Sequence, residues 1–320
     1  MVLTRWRTTT EMATRMRAAD DSMDVTDVTD MRAPQGARRV SRRALLLGAM
    51  EVAAAGSLAG TAGLGYSAII EPGWIERKEV RLILPRLSPA FDGYRIAQMS
   101  DLHLGDWLTP DRLADVVRQV NALGANLIAI TGDFVTRHAI ANAPDLEATL
   151  RHLHARDGVV AILGNHDHWS SAGAIREVIR ASGARDLSNA VHTLERGGAL
   201  LHIAGVDDIW EGKNRLDLVL GKLPREGAAV LLAHEPDYAD ESAATERFDA
   251  QISGHSHGGQ IVAPFYGPLH LPYLGHRYPL GLYRVGRMWQ YTNRGIGMLK
   301  PWVRFNCRPE ITVFTLKAAS

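Results

Sequence analysis

Five apolar segments of this 320-residue chain each end in residue types that bind metal ions. The segments have the length and composition of buried strands, as in Leu127 to Thr131, and helical patterns separate several of them. In sheets with helical crossovers, binding sites collect just outside the carboxyl ends of the strands. The residues at the five ends are Asp101 and His103, Asp133, Asn165 with His166 and Asp167, His234, and His255 with His257. The pattern predicts an α/β fold with a metal centre at these ends.

The residue types at the strand ends favour divalent ions of borderline or hard character. Carboxylates and imidazoles without thiolates suit Mn, Fe or Zn, and the inventory alone does not choose among them. His255 and His257 lie one residue apart after a strand, so each can face a different metal ion; two packed side chains are the alternative interpretation. Two metals roughly 3.5 to 4 Å apart are common in phosphatases and nucleases, and a carboxylate must bridge them. Asp133 follows a glycine at a strand end and has room for that role.

Taken in order, the motifs resemble those of calcineurin-like metallophosphoesterases. They are Asp101-Leu-His103, Gly132-Asp133, Gly164-Asn165-His166-Asp167, an isolated His234 and Gly254-His255-Ser256-His257. The resemblance spans about residue 94 to the C-terminus. It implies that Asp101, His103, Asp133 and His257 bind one metal ion, and that Asp133, Asn165, His234 and His255 bind the other.

The same resemblance leaves His166 free of metal. It implies that His166 contacts the phosphoryl oxygen and protonates the leaving group, a role that suits a group titrating near neutral pH. A histidine that only orients Asn165 or Asp167 is the alternative. Protein phosphatases of the family carry a further aspartate three residues after the bridging one, and this chain has Thr136 there. That departure weakens a Ser/Thr protein phosphatase interpretation and leaves open what orients His166.

Further motifs are similar to those of bacterial twin-arginine-exported members of the family. They are Gly205-Val-Asp-Asp208, Ala233-His-Glu-Pro-Asp237, Gly254 to Gln260, Arg294 to Gly297 and Arg304 to Glu310. Some relatives of that group cleave the pyrophosphate of UDP-2,3-diacylglucosamine, so the resemblance implies a phosphodiester or pyrophosphate substrate. No residue of the sequence indicates a binding site for a uridine or for an acyl chain. Candidates for the pocket rim are His168, Trp169, Asp207, Asp208, Trp210 and Asn214, with an ordinary polar loop as the alternative for the last four.

The N-terminal residues predict an export signal. Arg42 and Arg43 stand directly before an apolar stretch, residues 44–70, which is rich in Ala and Gly. The stretch exceeds the about 20 residues that cross a bilayer, but its modest hydrophobicity favours an export signal over a strong anchor. Residues 1–43 carry nine Arg and six acidic residues, a net charge of +3, which keeps this end cytoplasmic and places the catalytic domain across the membrane. Signal cleavage near 53–55, 61–63 or 66–68 stays open, as does a true start at Met23 or Met31.

The expected organisation has four parts: a disordered basic region at 1–43, a signal or anchor segment at 44–70, a linker with the first strand at 71–93, and the catalytic domain at 94–320. The formal net charge of +1 argues against a dedicated nucleic-acid binder. Cys307 is the sole cysteine, which excludes an intrachain disulfide, and a buried apolar position is its expected place.

The element pattern predicts two packed mixed β-sheets with helices on their outer faces. The resemblance implies the same arrangement, the four-layer metallophosphoesterase sandwich. Thr109 and Pro110 are typical of a helix start, and Gly124 of its end. Further helices are expected at 144–156, 172–181 and 237–246. Strand segments are expected at 200–206, 260–264, 283–293 and 311–316.

The predicted function is hydrolysis of a phosphodiester or pyrophosphate bond by in-line attack of a metal-bridging hydroxide, with His166 assisting departure. A broad phosphomonoesterase and a non-catalytic metal-binding envelope protein are the alternatives, and a metal-free histidine argues against the latter because structural sites are usually closed. Residues 264–283 contain many Pro, Gly, Leu and Tyr and little charge. They predict either a packed connector or an apolar lip for a lipid-linked substrate.

Overall fold

The computed structural model describes residues 43, 46, 47, 49, 50, 60–105 and 107–319. Residues 57–320 form one compact unit, and the five described residues before it are helical. The predicted basic region at 1–43 therefore lies, except for Arg43, outside the described residues, and so does most of the apolar stretch before residue 60. In the described part of the chain, no helix combines the length and the apolar character that crossing a membrane requires.

Residues 60–65 are helical, and fourteen strands and six α-helices follow in the described residues from 66 onward. The strands are β1 (Glu76–Leu84), β2 (Arg95–Met99), β3 (Leu127–Thr131), β4 (Val159–Ile162), β5 (Arg185–Asp186), β6 (Ala190–Arg196), β7 (Ala199–Gly205), β8 (Ala228–Leu232), β9 (Ala250–Ser253), β10 (Val262–Ala263), β11 (Gly267–Pro268), β12 (Gly281–Val285), β13 (Met288–Thr292) and β14 (Glu310–Ala318). The helices are α1 (Pro110–Asn121), α2 (Ala139–Leu150), α3 (Asn165–Ser170), α4 (Ala172–Ala181), α5 (Leu216–Lys222) and α6 (Ala239–Ala244). A π-helical turn at Tyr66–Ile70 and a 3₁₀ turn at Glu71–Gly73 precede β1.

The strands form two six-stranded mixed sheets and one small hairpin. The first sheet has the order β1-β14-β2-β3-β4-β5, and the second has the order β12-β13-β9-β8-β7-β6. In each sheet four neighbouring strands are parallel, β2 to β5 in the first and β13, β9, β8 and β7 in the second. Because parallel strands bring their carboxyl ends to one edge, each sheet presents several strand ends together.

Three apolar clusters produce the layers. Aliphatic side chains from both sheets, such as Ile96, Ile162, Ile203 and Val230, fill the space between them. The other face of the first sheet packs against α1, α2 and α4. The other face of the second sheet packs against α5 and α6. The predicted arrangement of two sheets flanked by helices is confirmed.

Helix α1 shows how local sequence sets an element. Thr109 caps it with its Oγ1, which accepts a hydrogen bond from the N–H of Arg112 at 3.4 Å, and Pro110 is the first helical residue. Leu113, Val116, Val117 and Val120 form its buried stripe. The helix ends at Asn121, and Gly124 follows with a φ of 59°.

The second predicted helix was wrong in its start and in its end, which lies at Leu150 rather than at residue 156. It begins at Ala139 rather than Pro144, so that Pro144 lies inside α2. The missing N–H of Pro144 leaves the carbonyl of Ile140 without its helical donor. Ile140 is exposed, so water can satisfy that carbonyl. The segment predicted as one strand over 283–293 is instead the hairpin of β12 and β13, which turns at Gly286 and Arg287. Of the predicted strand at 260–264, only residues 262 and 263 form one, and the short helix α3 was missed.

Candidate dinuclear metal centre

The predicted ligands converge at the carboxyl ends of the parallel strands. Asp101 and His103 follow β2, Asp133 follows β3, and Asn165 begins α3 after β4. From the second sheet, His234 follows β8, and His255 and His257 follow β9. All seven side chains are buried.

The backbone at five of these positions is left-handed. The φ angles are 51° at Asp101, 49° at His103, 56° at Asp133, 70° at His255 and 52° at His257. This region is unfavourable for residues with a Cβ, and such strain concentrates at functional sites that the surrounding structure holds in place. The chain therefore turns sharply at these five residues, whose side chains are buried at the ends of β2, β3 and β9.

The ligand atoms form two adjoining sets. Asp101, His103 and His257 form one set and Asp133, His234 and His255 form the other, and within each set the ligand atoms lie within 4.8 Å of one another. Oδ2 of Asp133 lies 3.6 Å from Nε2 of His103 and 3.2 Å from Nε2 of His234. This single carboxylate oxygen thus faces both sets, which is the position that a bridging ligand requires.

The donor atoms fit two divalent ions. Nε2 of His103 and Nε2 of His257 lie 3.0 Å apart, with Oδ1 of Asp101 3.4 Å from the latter. Among the described residues, Oδ1 of Asn165 is a buried oxygen without a hydrogen-bond partner. Buried polar atoms are nearly always paired, so an oxygen of this kind needs a partner that the protein does not supply. Imidazole and carboxylate donors without a thiolate match Mn, Fe or Zn.

Each of three imidazoles uses one ring nitrogen to bind an oxygen of the protein. Nδ1 of His234 lies 2.7 Å from the carbonyl of Thr131, Nε2 of His255 lies 2.7 Å from the carbonyl of Tyr273, and Nδ1 of His103 lies 3.1 Å from Oγ1 of Thr136. The carbonyl contacts fix the tautomer of His234 and His255, and in all three residues the other nitrogen faces the ligand set.

Burial and mutual charge set the protonation of the ligands. Burial lowers the pKa of His103 to about 3, and it also lowers the pKa of His255 and of His257, so these imidazoles are neutral and able to bind metal. Burial raises the pKa of Asp101 to about 6. Burial also acts upward on the pKa of Asp133, but the nearby histidines outweigh it and hold that pKa well below its usual range.

Asp167, the last residue of the Gly164-Asn165-His166-Asp167 motif, ties the metal-binding loops together. Its carboxylate accepts hydrogen bonds from the N–H groups of Asp133 at 2.9 Å, Phe134 at 2.9 Å, Val135 at 3.4 Å and Gly164 at 3.0 Å. Burial, and then the charge of Asp133, raises the pKa of Asp167 to about 8, and the N–H groups act in the opposite direction.

His166 lies beside the ligand sets and belongs to neither of them. Its N–H donates to Oδ1 of Asp133 at 2.9 Å, and its Nδ1 lies 3.2 Å from the carbonyl oxygen of Thr136. Its ring stands edge-to-face against those of His103 and Trp169, at centroid distances of 4.9 Å and 4.7 Å. The backbone of Thr136 therefore orients His166, and its hydroxyl contacts His103, which answers the question that the missing aspartate left open.

A pocket of about 340 Å³ opens over the centre, and its wall is partly apolar. Asp133, Asn165 and His166 lie at its base. The wall includes Trp169, Trp210, Ile261, Leu269, Leu299 and Lys300. The rings of Trp169 and Trp210 meet edge-to-face at 5.1 Å, and Trp210 also contacts His255 at 5.6 Å.

The rim candidates from the sequence divide into two groups. Trp169 and Trp210 line the pocket. His168 instead lies 2.8 Å from Asp207, which also pairs with Arg176. Burial acts upward on the pKa of Asp207, but the hydrogen bond from His168, the N–H of Asp208 and the charge of Arg176 outweigh it and lower that pKa.

Asp208 and Asn214, the other two rim candidates, act away from the pocket. Oδ1 of Asp208 accepts the N–H of Glu211 at 2.7 Å, and the amide of Asn214 lies 3.3 Å from the hydroxyl of Tyr238. Burial, and then the charge of Glu235, raises the pKa of Asp208 to about 9. Glu235 accepts the N–H of Trp210 at 3.0 Å, so these buried carboxyl groups hold the loop that carries the pocket tryptophan.

Arg304 is a contributor that the sequence did not single out. Its guanidinium is fully buried and donates to the carbonyls of Arg294, Gly295, Gly297 and Cys307 at 2.7 to 3.2 Å. The N–H of Gly297 in turn donates to the carbonyl of Asp101 at 2.7 Å. The sequence did place Arg304 at the start of one of the late motifs. No sequence pattern, however, distinguishes a buried arginine from an exposed one.

Cys307 is buried, as expected. It is 1% exposed, and its Sγ lies 3.2 Å from the carbonyl of His257, to which it donates. Burial raises the pKa of this thiol, which makes it a poor nucleophile.

Comparisons with known proteins agree with the geometry. The calcineurin-like phosphoesterase family model matches residues 94–259. The uncharacterized metallophosphoesterase YkuE of Bacillus subtilis is 37% identical over 290 residues, which cover 88% of this chain and 100% of the relative. Phosphodiesterase YaeI of Escherichia coli is 30% identical over 281 residues, which cover 87% and 99%. The crystal structure of TT1561 of Thermus thermophilus is similar with a TM-score of 0.44 and 15% identity, covering 63% of this chain and 90% of that one.

Two adjoining sets of metal-ligand atoms with Asp133 between them and His166 beside them, in one pocket, are typical of a metal-dependent hydrolase. The chain belongs to the calcineurin-like phosphoesterase family. It is therefore a metal-dependent phosphoric ester hydrolase with a dinuclear divalent metal site.

Proposed function

We propose that this enzyme hydrolyses a phosphodiester or pyrophosphate bond of a small molecule. The observation that carries the proposal is the position of Asp133 between the two ligand sets, with His166 beside it at the base of the same pocket. A relative that covers nearly the whole chain bears the name phosphodiesterase, which supports the choice of bond.

In this proposal Asp101, His103 and His257 would hold one metal, Asn165, His234 and His255 would hold the other, and Asp133 would contribute to both. The two sets of ligand atoms and the unpartnered Oδ1 of Asn165 support this division. When bound, the metal ions supply Lewis acidity toward the phosphoryl oxygens and an acidified water at neutral pH.

His166 assists the leaving group. Because Nδ1 of His166 donates to the carbonyl of Thr136, Nε2 is the nitrogen that can pass a proton to the departing oxygen. Its backbone N–H on Asp133 fixes the distance between the proton donor and the metal-binding carboxylate. Loss of a general acid of this kind lowers a rate by about 10²- to 10⁴-fold.

The pocket wall favours a substrate with an apolar part next to the phosphoryl group. Trp169, Trp210, Ile261 and Leu269 offer flat and aliphatic contacts, and Lys300 offers one cation at the same wall. A nucleotide-linked lipid, like the diacylglucosamine substrate that the sequence resemblance suggests, combines these features. Residues 269–274 then act as the lip that takes in the acylated end.

We also propose that the chain is exported by the twin-arginine route, so that the catalytic domain works outside the cytoplasmic membrane and residues 44–70 keep it near that membrane. Arg42 and Arg43 before the apolar stretch support this location. A folded reporter fused after residue 59 tests it. Export that persists after Arg42→Lys and Arg43→Lys together would contradict the route.

The enzymatic proposal is tested by Mn-dependent hydrolysis of an aryl phosphodiester and an aryl phosphomonoester by the full chain. Asp133→Asn is expected to lose metal and activity together, whereas His166→Ala is expected to retain metal and lose kcat. Asp115→Asn and His154→Ala are matched controls, because both residues are exposed and far from the ligand sets in sequence. Preference for the monoester would favour the phosphomonoesterase alternative, and full metal content without turnover would favour the non-catalytic one.

A further inference from the structure

Exposed aromatic side chains are concentrated at one part of the domain, beside the pocket. The hairpin of β10 and β11 carries Phe265 and Tyr266 at its turn, where they are 112% and 79% exposed. Phe265 also has a left-handed backbone, with φ of 64°, which is unfavourable for a bulky residue. A turn that holds an apolar ring fully in water, in a strained conformation, is typical of an interaction site.

The base of this hairpin is a wall of the catalytic pocket. Ile261 and Leu269 flank β10 and β11, are joined by a hydrogen bond of 3.0 Å from the N–H of Leu269, and both line the pocket. Whatever Phe265 and Tyr266 bind therefore lies next to the pocket entrance.

Residues 299–308 extend the same surface. Val262 donates to the carbonyl of Phe305 at 2.9 Å, which joins the hairpin to this segment. Trp302 is exposed, and Nζ of Lys300 lies 5.1 Å from its ring. The docking surface is defined here as Trp74, Phe265, Tyr266, Leu269, Lys300, Trp302 and Arg308.

Two cations lie on this surface, Lys300 and Arg308. Cζ of Arg308 lies 3.9 Å from the ring of exposed Trp74, and the segments 261–275 and 299–309 contain no Asp or Glu. Among the described residues, neither Lys300 nor Arg308 forms an ion pair with a carboxylate. Apolar tips with tryptophans and cations beside them match a bilayer, in which rings enter the interface and cations meet lipid phosphates.

The N-terminal chain reaches the domain at the same place. The carbonyl of Ser67 accepts the N–H of Arg304 at 2.9 Å, and the buried carboxylate of Glu71 accepts the N–H groups of Asn306 and Cys307. Residues 67 and 71, at the end of the apolar stretch of the sequence, thus bind the domain next to the docking surface. A second copy of the chain would also meet apolar rings, but two cations that form no ion pair among the described residues favour a surface of lipid phosphates.

We propose that the docking surface binds an anionic lipid bilayer and so places the pocket entrance at the headgroups. The proposal extends the proposed function, whose lipid-linked substrate would enter from such a surface, and its test needs no turnover. The full chain with Phe265→Cys carries an environment-sensitive fluorophore, and Ile140→Cys, at an exposed position on α2, is the matched control. Both are mixed with vesicles of phosphatidylcholine, with and without phosphatidylglycerol.

The label at position 265 is expected to shift to an apolar environment and to be quenched by a bilayer-embedded quencher, while the label at position 140 stays in water. Arg308→Gln is expected to reduce the preference for phosphatidylglycerol several-fold. Replacing Phe265 and Tyr266 with Ser is expected to weaken vesicle binding roughly tenfold and to spare hydrolysis of a soluble aryl diester.

Three results would overturn the proposal. The first is a label at position 265 that stays in water while the protein is bound to vesicles, and the second is no vesicle binding at all. The third is a fluorescence shift of the label at position 265 that a higher protein concentration produces without vesicles. That result would make the surface a contact between copies of the chain. An enzyme that docks but hydrolyses no diester would instead refute the proposed function and leave the docking intact.

Discussion

Arg304→Met tests whether a buried guanidinium supports the metal centre from behind. Methionine has a similar length and keeps an apolar stem, but it cannot donate to the four carbonyl oxygens that Arg304 now bonds. Three of these carbonyls, those of Arg294, Gly295 and Gly297, belong to the loop that contacts Asp101 through Gly297. The substitution therefore removes donors from a buried loop and leaves the surrounding packing largely filled.

The expected cost is set by the carbonyls left without donors. The carbonyl of Gly295 keeps the N–H of Glu310 at 3.1 Å, so three of the four carbonyls lose their donor. Each buried, unsatisfied group costs about 1 kcal/mol or more, so three of them predict a loss of about 3 kcal/mol in the free energy of unfolding. In a domain of this size such a loss lowers Tm by about 6 °C or more.

The assay is urea unfolding of the metal-free protein, followed by titration with Mn. Unfolding of the metal-free protein measures the stability of the loop without a contribution from metal binding. The titration then shows whether the set of Asp101, His103 and His257 loses more metal affinity than the other set. Arg284→Met is the matched control, since Arg284 is exposed and stacks on Trp289 at 4.4 Å. Its loss is expected to cost less than about 1 kcal/mol. If Arg304→Met costs no more than Arg284→Met, Arg304 does not support the centre.

Three further predictions concern the centre and its surroundings. Thr136→Val keeps the carbonyl that orients His166 but loses the hydroxyl on His103, so metal affinity should fall about 10- to 100-fold while kcat at saturating metal changes little; equal losses in both would refute this division. Gly164→Ala should abolish metal binding by calorimetry, because its Cβ would collide with Oδ1 of Asp133. The pKa of Asp207 is lower in the folded protein than its unfolded value of about 3.9. The ionised carboxylate therefore stabilises the folded protein above about pH 3.9, and this stability is lost as pH falls through the folded pKa. Asp207→Asn should therefore flatten the decline of stability between about pH 5 and pH 3, and an unchanged decline would contradict the assignment.

The sequence predicts much of the centre because its ligands follow strands directly. A residue such as Asp133, one position after a glycine at a strand end, is placed by the sheet itself. Helix α1 was equally readable, since Thr109, Pro110 and a four-residue apolar stripe agree with one another. In these cases local signals and the tertiary fold require the same conformation.

The pocket wall and the supports behind the centre could not be read in this way. Trp210 reaches the pocket because buried carboxyl groups hold its loop, and Ile261 reaches it because a hairpin pairs with residue 305. These contacts join positions far apart in the chain and leave no local pattern. Pro144 led to a wrong helix start because a local preference did not decide the fold. Proline favours the first turn of a helix, but here it lies inside α2, at an exposed turn where its missing N–H costs little.

The place of β14 in the first sheet has a consequence for the timing of folding. This strand lies between β1 and β2, so a strand made late joins two strands that are made early. A growing chain that ends before residue 310 has no partner for either of the facing edges, and Glu310 is not yet present to bind Arg294 behind the metal-binding loops. The first sheet can close only after residues 310–318 leave the ribosome.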